Sequence, residues 1–74
     1  MREIRAELER IHAPATTRAE VETDLQTIEL QARAAKPKWR IVRESLLSAR
    51  AIVENLIASE IFAKLQALLG GLPN

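Results

Sequence analysis

Seventy-four residues make at most one domain, and an α/β enzyme fold, which needs well over about a hundred, is excluded. Hydrophobic residues make up 47% of the chain and aromatic ones only 3%, with no cysteine and one histidine. Disulfides and a His/Cys zinc site are therefore not on offer as braces for a small core, which leaves regular helix packing or oligomerisation. A net charge of +1 is not that of a strongly basic nucleic-acid binder.

The charge is unevenly spread. Residues 1–32 carry four arginines against seven acidic residues, a net of −3, and residues 33–50 carry six cations against Glu44, a net of +5. The remainder is close to neutral and apolar. This is the pattern of helix faces that attract one another across a hairpin.

The spacing predicts a first helix over 1–12, with Ile4, Leu8 and Ile11 on one stripe and Arg and Glu elsewhere. Pro14 interrupts it. Thr17 and Glu20 have the S/T-x-x-E spacing of a capping box, so a second helix is expected over 17–35, with Pro14 in its first turn as the alternative start. Val21, Leu25, Ile28, Ala32 and Ala35 step by four and three, a coiled-coil-like seam. Pro37 ends that helix, and a third is expected over 38–69, stopped by Gly70-Gly71.

At 1.5 Å per residue the third helix would be about 48 Å long, too long for a globule of this size, whose radius of gyration should be about 11 Å. Its apolar face also changes. Trp39, Val42, Leu46, Ala49, Val53, Leu56 and Ile57 share one sector, whereas Ile61, Leu65, Leu68, Leu69 and Leu72, with Phe62 beside them, cluster about a third of a turn away. Either the two halves pack on different things or the helix breaks near Ala58-Ser59. The first option yields an all-α helical hairpin with an extra N-terminal helix, a single module over 1–74 that assembles with other copies as a helical bundle. Its hairpin core is expected to be Val21, Leu25, Ile28 and Ala32 against Val42, Leu46, Ala49 and Val53. Its association surface is expected to be Ile57, Ile61, Phe62, Leu65, Leu68 and Leu69, a patch larger than soluble monomers usually leave in water.

No reaction centre is legible, and no catalytic, cofactor or metal residue is assigned. His12 reads as a helix-end residue, and Glu7 and Glu9 point apart on a helix. Ser45, Ser48 and Ser59 lack a nucleophile elbow, and Gly70-Gly71 lacks a phosphate-loop context. Lys36, Arg40, Arg43 and Arg50 form a candidate basic patch, with Trp39 as a core or interface anchor.

The strings Val21-Glu22-Thr23-Asp24-Leu25-Gln26-Thr27-Ile28-Glu29, Lys36-Pro37-Lys38 and Glu44 through Asn55 resemble a segment near the C-termini of bacterial proteins, some of them similar to the AbiTii-type abortive-infection, phage-defence proteins. The resemblance covers about half the chain. It implies a small helical module appended to, or working beside, a defence effector or sensor, and it supplies no site residues.

The resulting expectation is a non-enzymatic self-assembly or scaffolding module, with itself and an effector or sensor protein as partners and no cofactor. One alternative is a membrane-active effector with 51–72 as an amphipathic interfacial helix, disfavoured because Lys64 is its only cation. Another is a nucleic-acid or phosphate-binding adaptor using the basic patch. Met1 is followed by charged residues rather than an apolar run, and Glu54, Glu60 and Lys64 interrupt the best apolar window. With no cysteine either, a cytoplasmic setting is expected.

Overall fold

The computed structural model describes residues 1–56 and 59–73. It is all-α: α1 spans Arg2–Arg10, α2 Ala15–Arg33, α3 Trp39–Val53 and α4 Ser59–Gly70. Short connections alternate the helices up and down. α2 and α3 form the expected hairpin, α4 folds back on α3, and α1 packs against α4.

α1 ends in a Schellman motif. The Ala13 N–H reaches the Leu8 carbonyl at 3.2 Å and the His12 N–H reaches the Glu9 carbonyl at 3.1 Å. His12 takes the left-handed conformation, φ 55°, that such a cap requires. Ala13 and Leu8 are both buried, the apolar contact that usually accompanies this cap.

α2 begins two residues earlier than the capping-box spacing suggests. Pro14 takes the N-cap position with no side-chain cap, and its carbonyl accepts the Arg18 N–H at 2.9 Å. The box of Thr17 and Glu20 does not form, because Thr17 already lies inside the helix. α2 also stops at Arg33 rather than at 35, since Ala34 is extended (φ −70°, ψ 148°) as the chain prepares for Pro37. Gln31 Oε1 accepts the Lys38 N–H at 2.9 Å and so ties the end of α2 to the N-cap of α3.

The single helix expected over 38–69 is two helices. α3 ends at Val53, and Leu56 N–H closes a tight turn on the Val53 carbonyl at 2.9 Å. The physical reason is the change of apolar face. A straight helix would leave one of its two apolar sectors in water, whereas a reversal turns the second sector onto the same core as the first. Ile61 and Leu65 are 0% exposed. The radius of gyration, 11.8 Å, is what a compact chain of this length should show.

One core joins all four helices: Ile4 and Leu8 of α1; Val21, Leu25 and Ile28 of α2; Val42, Leu46, Ala49 and Val53 of α3; and Ile61 and Leu65 of α4. Seven of the eight residues assigned to the hairpin core are in it. Ala32 is not; it is exposed, one turn past Ile28, where the chain leaves the core for the 34–38 connection.

Candidate interaction surface

The residues assigned to an association surface separate into three groups. Ile61 and Leu65 belong to the chain's own core and are closed off by α1 and α3, so they cannot meet a second chain without unfolding this one. Phe62 and Leu69 are half-buried against that core, and Leu68 remains 41% exposed. Ile57 lies outside the described residues. The apolar face that a membrane-active 51–72 helix would present is for the same reason turned inward at Ile61 and Leu65. No helix among the described residues is long and apolar enough to cross a membrane.

Large apolar side chains stay in water elsewhere. Trp39 is 40% and Leu47 39% exposed on α3, and Leu30 is exposed on the outer side of α2. Trp39, Arg43 and Leu47 are four residues apart in turn and share one stripe of α3, next to the tip of the hairpin.

Much of the charge is consumed internally. Arg5 grips two carboxylates of α2 at once, with Nε and Nη2 on Glu22 at 2.7 and 2.9 Å and Nη1 and Nη2 on Glu29 at 3.1 and 2.7 Å. These hydrogen bonds hold Glu22 and Glu29 below the usual carboxylate range and raise the already high Arg5 pKa further. Lys64 donates to Glu3 at 3.0 Å, which lowers the Glu3 pKa and raises that of Lys64, through the hydrogen bond first and its charge second. Arg10 pairs with Glu7 one turn back.

The candidate basic patch is redrawn by the fold. Arg50 is half-buried and donates to Gln66 Oε1 of α4, so it fastens α3 to α4 and does not belong to the patch. Lys36 and Arg43 are exposed and make no ion pair among the described residues, and Arg40 has only a loose contact with Glu44 at 3.6 Å. Arg33 and Lys38, exposed at the same tip, join them. Both belong to the basic 33–50 stretch though not to the four-residue patch, and their closeness to the turn at Pro37 is the signal that adds them to it.

Two open grooves flank α1. The larger, about 540 Å³, lies against α2 between Arg2, Arg5, Arg18 and Glu22, and a smaller one of about 290 Å³ lies against α4 between Ile4, Lys64 and Leu68. Among the described residues no three His, Cys, Asp or Glu side chains converge as metal ligands would. Asp24 Oδ2 is buried with no hydrogen-bond partner among the described residues.

Compared with protein-family models, with curated proteins and with solved structures, the chain matches none.

Proposed function

We propose that the chain is a non-enzymatic helical self-assembly or scaffolding module that works by presenting surface from a finished bundle. The observation that supports this reading is the exposed stripe of Trp39, Arg43 and Leu47 on α3. The core closes without these side chains, and Trp and Arg are the residue types that most often anchor protein contacts. The likeness of residues 21–55 to segments of abortive-infection proteins is the ground for setting the module beside a phage-defence effector or sensor, and the lack of cysteine is the ground for a cytoplasmic one. Sedimentation velocity over a hundredfold concentration range tests the proposal. Growth of the mean mass above 8.3 kDa is expected, and a fully helical 8.3 kDa species throughout would end it.

A second reading, a phosphate- or nucleic-acid-binding adaptor, draws on the unpaired cations at the hairpin tip. It requires binding to a labelled oligonucleotide that weakens steeply between about 50 and 200 mM salt. Salt-insensitive or absent binding would remove it.

A further inference from the structure

The up-and-down path sorts the unpaired charges by end. Arg33, Lys36, Lys38 and Arg43 stand at the 34–38 tip, with loosely held Arg40 among them. At the opposite end, where α1 and α3 finish and α2 and α4 begin, stand Glu9, Glu20, Glu54 and Glu60. All four are exposed and make no ion pair among the described residues. Arg18 is a cation on that side and the Glu7–Arg10 pair is neutral there, so the acids prevail. The molecule is an elongated body of 35 × 20 × 17 Å with one basic end and one acidic end.

Local stability accounts for only part of this arrangement: Arg33 in the last turn of α2 and Glu60 in the first turn of α4 suit their helices, and others do not. Helix dipoles favour cations at C-terminal ends and anions at N-terminal ends. Glu9 lies in the last turn of α1 and Glu54 caps the C-terminus of α3. Lys38 occupies the N-cap of α3, whose first turn holds no acid. These charges each oppose their own helix, and departures from local rules of this kind concentrate at functional surfaces.

We infer that the basic hairpin tip docks on the acidic end of a second copy, head to tail. The inference rests on the self-assembly reading above and names its geometry. Such a contact joins unlike surfaces, so each added copy again offers a free tip and a free acidic end, and the assembly grows as an open row unless rotation closes it into a ring. The cross-section of 20 × 17 Å gives an end face of roughly 300 Å² per copy, well under the roughly 800 Å² per partner of a stable interface and in the range of transient contacts. The association is therefore weak, grows gradually with concentration and is strongly weakened by salt. Trp39, at the tip, is the apolar anchor.

Two double variants test it. Lys36→Glu with Lys38→Glu cancels the positive excess of the tip, and Glu9→Lys with Glu54→Lys turns the opposite end basic. Lys38→Glu, Glu9→Lys and Glu54→Lys suit their helix dipoles better than the native residues, so both proteins should stay folded by circular dichroism. A control, Thr23→Glu with Ser48→Glu, adds charge to exposed sites in the middle of the body. The expected result in low salt is that wild type and control grow in mean mass with concentration. Each end variant should stay near monomer, with association weakened at least tenfold, and an equimolar mixture of the two should associate again as pairs, the native tip of one on the native acidic end of the other. Emission of Trp39, the chain's one tryptophan, should shift to the blue as rows form and revert in high salt. Assembly of either end variant as strong as that of wild type overturns the inference while leaving self-assembly standing, as does failure of the mixture to recover. A wild type that is monomeric at every salt and concentration overturns self-assembly itself. So does a monomer whose Lys36 and Lys38 bind anionic vesicles instead.

Discussion

Leu65→Ala separates a core role from an interface role at the C-terminal helix. Leu65 is 0% exposed within a single chain. Truncation removes about three carbons at about 0.8 kcal/mol per buried CH₂, and the unfilled cavity raises the cost to about 3–4 kcal/mol. A chain of 74 residues has about 4–11 kcal/mol of stability in all, so this one change removes about a quarter of it or more. At about 4–8 °C per kcal/mol, Tm should fall by about 12–30 °C. Urea melts followed by circular dichroism, at two protein concentrations tenfold apart, give the measurement. Because the burial is intrachain, the loss should be the same at both concentrations, whereas a residue buried between chains would give a concentration-dependent loss. Leu68→Ala, at a side chain still 41% exposed, should cost about 1 kcal/mol or less. A Leu65→Ala cost under about 1 kcal/mol, or one that changes with concentration, would refute the reversal of α4 onto the core.

Three further outcomes are expected. His12→Gly should stabilise the chain by about 0.5–1 kcal/mol in a thermal melt, because the cap of α1 holds His12 at φ 55°, where a Cβ is strained and glycine is not; a loss of stability would mean the cap is not formed. Asp24→Asn should raise stability by about 1 kcal/mol in urea, since a buried unpartnered carboxylate oxygen is replaced by a neutral group of the same shape; a drop would show that the oxygen has a partner after all. Glu22 and Glu29 are held below their ordinary pKa by Arg5. The stability they lend is thus present above the unfolded carboxylate value of about 4.3 and is lost as pH falls through their lower folded values. Arg5→Met should flatten that acid limb of Tm against pH, and an unchanged limb would show that other carboxylates carry it.

The parts of the fold that a local pattern encodes were legible. The four-and-three steps of Val21, Leu25 and Ile28, and those of Val42, Leu46, Ala49 and Val53, set the hairpin and its register. The break after Val53 was marked only indirectly, by the swing of the apolar face, because Glu54-Asn55-Leu56 contains neither proline nor glycine. Helical propensity alone would carry the chain straight on, and burial of Ile61 and Leu65 outweighs it. That same reversal takes Ile61 and Leu65 out of the expected association surface, since a face with no visible cover in a straight helix acquires one when the chain doubles back. Arg5 with Glu22 and Glu29, and Arg50 with Gln66, link different helices and leave no trace in i, i+4 spacing. The charges at the two ends were visible as regional sums, but their separation by a body 35 Å long needed the up-and-down path.

That path also bears on how the chain reaches its folded state. α2 with α3 and α3 with α4 are neighbours in sequence, so most of the core can form through short loop closures, the regime in which helical proteins fold within microseconds to milliseconds. α1 differs. Its packing partner is α4, at the far end of the chain, and its core contribution is Ile4 and Leu8, helped by the Arg5 grip and the Glu3–Lys64 bond. It should therefore dock last and detach first, and its amides should exchange with solvent at a lower opening free energy than those of α2 and α3.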